Sequence, residues 1–214
     1  MGRIMKIAVD GPAGSGKSTV SKIIAEKLNI EYIDTGAMYR ALTYFFIKND
    51  MQFTAENAKK AEIDFKNRHI YLDGINVDAE IRTPEVNAAV SDVSKLSPIR
   101  RLMTDLQRKL ANNKDVILDG RDIGSVVFPD ADYKFFIDAD VKTRAKRRYD
   151  EMPRENRPTL EEIEENIKNR DFTDKNRETA PLVKTKDAVV IDTTNLDIDG
   201  VVNKMLQFIK SKNV

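Results

Sequence analysis

Lys6-Ile-Ala-Val-Asp10 runs straight into Gly11-Pro-Ala-Gly-Ser-Gly16-Lys17-Ser18. The first five residues form a short apolar run, the pattern of a strand buried in a parallel sheet. The next eight fit G-x-x-x-x-G-K-[ST]. Lys17 to Leu28 then places Val20, Ile23, Ile24 and Leu28 at helical spacing. Strand, glycine-rich turn and helix in this order make a phosphate cradle. The glycines let successive backbone N–H groups turn inward, and the helix adds the positive end of its dipole. Lys17 can reach the β- and γ-phosphates of a nucleotide as a point charge. Ser18 offers a hydroxyl where Mg²⁺ sits in such loops. Binding of nucleotide phosphates is therefore expected at Gly11, Pro12, Ala13, Gly14, Ser15, Gly16, Lys17, Ser18 and Thr19.

Outward from this loop the elements alternate. Glu31 to Asp34 reads as a second strand and Met38 to Lys48 as a helix. Asp115 to Asp119, Lys134 to Ile137 and Ala188 to Ile191 read as three more strands. Val141 to Tyr149 reads as a basic helix, followed by a polar loop rich in Arg and Pro over Glu151 to Pro158. Thr159 with Glu162 marks a capping box at the start of another helix, and Asp199 to Lys212 is amphipathic. Strands alternating with helices predict an α/β fold with a doubly wound, five-stranded parallel sheet. The stretch from residue 50 to about 97 has a different texture. Asp73-Gly74 between Ile70/Leu72 and Ile75/Val77 predicts a β-hairpin. Thr83-Pro84 and Ser97-Pro98 each predict a helix start, with the hydroxyl as N-cap and proline at the first helical position. The stretch is read as an insertion carried on a single unit spanning 1–214.

The chain has 214 residues, with 41% hydrophobic, 33% charged and a formal net charge of +1. It can bury a core, and the balanced charge argues against a dedicated nucleic-acid binder. With no cysteine, disulfide scaffolds, thiolate zinc sites and cysteine nucleophiles are excluded. The longest apolar runs, such as Ala41 to Ile47, are too short to cross a bilayer. The phosphate loop follows so soon after Met1 that no signal peptide is expected, and Lys6 stands where a myristoylation signal needs Ser or Thr. Met5 offers a second start, which would make the residues before it an extension. A cytoplasmic monomer with no membrane or nucleic-acid partner is the expectation.

The loop alone does not name a reaction. No N-K-x-D guanine signature occurs, since Asn113-Lys114-Asp115 lacks the spacing. Transfer to a hydroxyl would call for a general base, and the one histidine, His69, lies in the expected hairpin. A phosphate monoester differs, because its second pKa of about 6 leaves it largely ionised at neutral pH. Two polyanions must then be held together, which needs arginines from several segments. Arg40, Arg82, Arg100, Arg121, Arg144, Arg147, Arg148, Arg154, Arg157, Arg170 and Arg177 supply them, although several belong to solvated helix faces. Asp34 and Asp119 end strands beside the loop. With Ser18 they form a candidate Mg²⁺ set, or they serve as an N-cap and a salt-bridge partner.

Four further segments carry a resemblance: Asp34 to Arg40 (DTGAMYR), Glu80 to Thr83 (EIRT), Asp119 to Asp130 (DGRDIG and VVFPD), and Arg170 to Leu182 (RDFTDKNR and APL). With the phosphate loop they resemble, in order, the signature blocks of the bacterial cytidylate kinases, a P-loop nucleoside monophosphate kinase family. The resemblance implies transfer of the ATP γ-phosphate to CMP or dCMP, with Mg²⁺. It implies that Thr35, Arg40 and Arg121 hold the acceptor phosphate. Ser91, Arg100 and Asp122 match cytosine-reading residues, and Arg170, Asp174 and Arg177 match contacts to sugar and phosphate. It makes the 50–97 insertion the monophosphate-binding part and 147–160 a mobile lid containing Arg147, Arg148, Arg154 and Arg157. Lys17, Arg121, Arg147, Arg148 and Arg177 are the implied catalytic cations. Kinases of UMP, AMP or a non-nucleotide acceptor stay open as alternatives, as does a nucleotide-binding switch.

Overall fold

The computed structural model describes residues 4–155 and 157–212. Met1 to Arg3, in the expected extension, and Asn156, in the expected lid, lie outside the described residues. Five parallel strands form the central sheet: β1 (Lys6–Asp10), β2 (Glu31–Asp34), β6 (Val116–Gly120), β7 (Tyr133–Asp138) and β8 (Val189–Asp192), in the order β2-β6-β1-β7-β8. The order places β1 in the middle, so the phosphate loop leaves from the centre of the sheet. Helices α1 (Lys17–Leu28), α2 (Thr35–Lys48), α5 (Ser97–Leu110), α6 (Val141–Glu151), α7 (Leu160–Asn176) and α8 (Ile198–Ser211) surround it. Ile7, Ile24, Ile33, Ile117, Leu118, Phe135 and Ile137 are fully buried in the core.

Strand register decides what meets at the carboxyl edge. Asp10 pairs with Gly120, and Asp34 pairs with Asp119, so three carboxylates arrive at the ends of three adjacent strands. Helix α2 begins three residues earlier than its apolar spacing predicts. The Asp34 side chain caps it by accepting from the Ala37 N–H at 2.9 Å. Thr159 and Glu162 form the expected capping box at the start of α7. At α5 the expectation fails: Leu96 holds the N-cap position without a side-chain bond, and Ser97 is already helical. The Ser97 hydroxyl bonds instead to the Thr179 hydroxyl, tying α5 to the segment after α7.

The insertion contains the expected hairpin, β4 (His69–Leu72) and β5 (Ile75–Asn76), with Asp73 and Gly74 both at positive φ. It also contains a third strand, β3 (Ile63–Lys66), a short helix α3 (Ala55–Ala58) and helix α4 (Pro84–Ser94), which starts at Thr83 as expected. The β3–β4 turn uses Asn67 and Arg68 at φ 50° and 69°, so no glycine marks it. Phe65 of β3 meets Tyr32 of β2 edge-on at 6.1 Å and anchors the small sheet to the large one.

Helices α6 and α7 have a small core of their own: Ala145, Ile163 and Ile167, with Val141, Tyr149, Met152 and Leu160 packed around it. No helix among the described residues is long and apolar enough to cross a membrane.

The phosphate loop is wedged tightly between strand ends. A Cβ on Gly11 would lie 2.0 Å from the Ile137 carbonyl oxygen, which no side-chain adjustment relieves. Gly11→Ala is expected to cost about 3 kcal/mol, lowering Tm by about 6–12 °C for a chain of this size. Thermal unfolding monitored by circular dichroism checks this.

Candidate active site

The carboxyl edge of the sheet, α4, α5 and α7 enclose a cavity of about 230 Å³. Of the residues expected at a site, Ala13, Gly14, Lys17, Ser18, Asp34, Thr35, Arg40, Arg100, Asp119, Arg121, Asp122, Arg148, Arg170, Asp174 and Arg177 line it. These residues are drawn from almost the whole chain. Gly11, Pro12 and Ser15 lie buried behind the loop, and Thr19 is exposed on α1. Gly16 has φ 87°, and a Cβ there would sit 3.9 Å from a terminal nitrogen of Arg147.

Arg147 itself donates to the Thr193 hydroxyl at 3.0 Å and to the Thr193 carbonyl at 2.7 Å, outside the cavity wall. Ser91 does not line the cavity; it is half-buried, and its carbonyl accepts from the Ser94 hydroxyl. Ser94, one turn further along α4, lines the cavity instead. Arg154 is exposed, and Arg157 lies over the Tyr149 ring at 4.5 Å.

The cavity wall holds eight cationic side chains against four carboxylates among the described residues. Such an excess needs rigid partners, because each arginine loses hydration on burial. Asp122 accepts from Arg100 at 2.6 Å, and its other oxygen lies 3.8 Å from Arg177. Asp174 accepts from Arg121 at 2.8 Å and lies 3.5 Å from Arg177. Arg100 also donates to the Ser94 carbonyl at 2.8 Å and lies 5.3 Å above the Tyr39 ring. Arg177 Nε donates to the Ala180 carbonyl at 2.6 Å. Arg40 donates to Ile81 and Asn87, which turns it toward the insertion. Thr35 donates to the Asp119 carbonyl at 2.8 Å, and a Cβ on Gly120 would lie 2.6 Å from its hydroxyl.

Proton affinities report the same imbalance. Burial and the neighbouring Arg121 push the Lys17 amine well below its ordinary value. Burial, then Arg121, pushes Arg170 down to about 9. Burial pushes Arg40 down to about 10, against the pull of Asp34. For Asp174, burial alone would raise the carboxyl, but Arg121, Arg170 and Arg177 hold it below the ordinary value. Three buried guanidinium nitrogens, Nε of Arg100, Nε of Arg170 and Nη2 of Arg177, have no hydrogen-bond partner among the described residues. Unpaired buried donors are costly, and a ligand rich in acceptor oxygens would satisfy them.

Asp119 is fully enclosed. It accepts from the Ser18 hydroxyl at 2.7 Å and from the Tyr32 hydroxyl at 2.6 Å. Burial and nearby Asp34 raise its carboxyl above the ordinary range. No group of three or more His, Asp or Glu side chains that could cage a metal occurs among the described residues.

The sequence assigned no role to Asp10, Tyr39 or Ser94, and Arg144, expected among the cations, is instead tied up by Asp171. Asp10 accepts from the Ile123 and Gly124 N–H groups at 2.8 and 2.7 Å. Arg144 forms a buried two-bond pair with Asp171 at 3.1 and 2.6 Å and reaches the Ala13 carbonyl of the phosphate loop at 3.1 Å. The signal for Asp10 was a carboxylate closing an apolar strand directly before the phosphate loop.

A family model described as cytidylate kinase matches residues 7–211. A cytidylate kinase of Clostridioides difficile is 53% identical over 212 residues, covering 96% of this chain and 98% of that protein. A cytidylate kinase of Alkaliphilus oremlandii is 49% identical over 212 residues, with the same coverage. Among solved structures, a shikimate kinase from Bacteroides thetaiotaomicron superposes with a TM-score of 0.54 at 13% identity, covering 97% of this chain and 99% of that one. That likeness concerns the P-loop kinase fold alone. The matched residues span the phosphate loop, the carboxylate edge and the arginine-bearing helices together, and the chain belongs to the cytidylate kinase family.

Proposed function

We propose that this chain moves the γ-phosphate of ATP to CMP or dCMP, releasing ADP and CDP or dCDP with no covalent enzyme intermediate. The observation that carries the proposal is the cation excess in one cavity whose floor is the phosphate loop. Such a charge excess suits the phosphates of a donor and an acceptor brought together. One oxygen of the acceptor phosphate attacks the γ-phosphorus as the bond to the β–γ bridging oxygen breaks, and ADP departs with that electron pair. The acceptor is already ionised near neutral pH, so no base is needed. His69 supports this, because it lies in the insertion and pairs with Asp78 rather than facing the cavity. The four cavity carboxylates already have partners: Asp119 accepts from Ser18 and Tyr32, Asp34 from Ala37, Asp122 from Arg100 and Asp174 from Arg121.

Lys17 neutralises charge on the ATP phosphates and regains proton affinity from them. Thr35, Arg40 and Arg121 hold the acceptor phosphate, while Arg170 and Arg177 bring donors toward the transferring group and the sugar, and Asp174 anchors Arg121 and Arg177 beside them. Cytosine recognition rests on Asp122 and Arg100. The exocyclic amino group donates to Asp122, and Arg100 donates to N3 or O2. Uracil presents a carbonyl and a ring N–H in the same places, so both contacts mispair. Ser91 would join these contacts on a small shift or rotation of α4 toward the base.

The donor set fits Mg²⁺, because Ser18 and Asp119 are bonded to each other beside Lys17 and Asp34. Ser18 would ligate the ion, and Asp119 and Asp34 would hold its waters, as a hard cation with few protein ligands requires. When bound, the ion neutralises charge on the ATP phosphates. The insertion, 50–97, would hold CMP. The segment 147–160 would close over the phosphates, bringing Arg148 and Arg147 nearer and excluding water, which competes as acceptor. The separate small core of α6 and α7 supports movement of that unit as a body.

A coupled ADP-release assay over CMP, dCMP, UMP and AMP is expected to give kcat/KM at least ~10-fold higher for the cytosine nucleotides. A preference for AMP, or ATP turnover that ignores every monophosphate, would overturn the proposal. Lys17→Ala is expected to reduce kcat by ~10³-fold or more while Tm stays within a few degrees. ATP binding is expected to take up protons at about pH 8, because phosphates lift a lysine whose affinity burial and Arg121 depress. Titration calorimetry in two buffers of different ionisation enthalpy measures that uptake; no difference between buffers would contradict it.

A further inference from the structure

We propose that Asp10 is a positioning residue: it caps the turn that follows β6, leaving Asp122 free to face Arg100 and the acceptor base. This deepens the kinase proposal and rests on it. Asp10 ends β1, directly before Gly11 of the phosphate loop, and is only 4% exposed. It does not line the cavity, so it acts through what it holds.

Its two oxygens accept from two successive backbone N–H groups, Oδ1 from Ile123 and Oδ2 from Gly124. Those groups open a wide helical turn, Ile123–Val127, whose first N–H donors need acceptors from outside the turn. The residue at the N-cap position is Asp122. An N-cap aspartate ordinarily satisfies these donors with its own side chain. Here Asp122 makes no cap bond and turns to Arg100 at 2.6 Å. Asp10, reaching across from the neighbouring strand, does the capping in its place.

The geometry around the tether is close. A Cβ on Gly124 would lie 3.3 Å from Asp10 Oδ2 and 3.2 Å from Lys134 Cδ, so a larger residue would press on the contact. Burial pushes the Asp10 carboxyl up to about 7, the Gly124 and Ile123 N–H groups pull it back, and Asp122 and Arg121 act on it with opposite signs. A carboxylate kept in so dry a place must do something a smaller or apolar residue cannot. It joins the residue before the ATP-phosphate loop to the residues after Asp122, and so sets the spacing between the two substrates' loops.

The test is Asp10→Asn, which keeps size but sets an amide NH₂ against one of the two N–H donors. Asp122 then gains a reason to swing back onto its own turn. The KM for CMP is expected to rise ~10–100-fold, with the KM for ATP changed less than ~3-fold. Gly124→Ala, which strains the same contact from the other side, is expected to move the CMP KM in the same direction. Thermal melts of both variants identify the folded fraction to which the constants are referred. An unchanged CMP KM in Asp10→Asn, or CMP and ATP constants that rise together, would overturn the inference. Failure of the kinase proposal looks different, because the wild-type protein itself would then show no CMP-dependent ADP release.

Discussion

Like charges crowded into a dry cavity repel, and the architecture of this protein follows from holding them there. Arg100, Arg121, Arg170 and Arg177 converge on two carboxylates, Asp122 and Asp174. Neither carboxylate can be removed without leaving several guanidinium groups buried and unopposed, a far costlier change than losing one surface pair. The carboxylates do not cancel the field, since eight cations face four acids across the cavity. What remains is a standing positive potential, fixed before any substrate arrives. Such preorganisation is what phosphoryl transfer requires, because the groups need not reorient as charge moves.

The parallel sheet is the frame that makes this possible. Its register brings Asp10, Asp34 and Asp119 to one edge on three adjacent strands, yet their surroundings give them three different tasks. Asp34 caps α2 and so fixes the helix that carries Tyr39 and Arg40. Asp119 holds the Ser18 hydroxyl at the start of α1. Asp10 takes two N–H groups of the next loop. Hydrogen-bond donors available at each strand end, rather than residue type, separate these roles.

The sheet was legible because its central strands, β1, β6 and β7, are buried on both faces and read as nearly continuous apolar runs. The phosphate loop was legible because few residue combinations can turn backbone N–H groups inward. The missed strand β3 shows the limit: its turn at Asn67 and Arg68 adopts positive φ without glycine, so a lone Asn is all that punctuates it. Ser97 shows another. A hydroxyl before proline is a strong N-cap signal, but a tertiary partner, Thr179, claims that hydroxyl in the fold. Most expected site residues came from short motifs and do meet in one cavity. Asp10 and the Arg144–Asp171 pair were illegible because their partners lie 113 and 27 residues away, and local spacing carries no trace of either.

Arg144 also bears on how two halves of the site stay in step. Its guanidinium is held by both oxygens of Asp171, by the Ala139 carbonyl and by the Ala13 carbonyl in the phosphate loop. Gly14 packs against it so closely that a Cβ would lie 3.3 Å from the Arg144 Cβ. The bases of α6 and α7 are thus fastened to the loop that would carry ATP. Four residues on, Arg148 reaches the cavity wall, and one residue before it Arg147 is clamped by Thr193 beside Gly16. The pair therefore sets where α6 leaves the phosphate loop, and with it the placement of Arg147 and Arg148. Burying two charges at this root costs their hydration, and the two-bond geometry with two further carbonyl contacts is what offsets that cost.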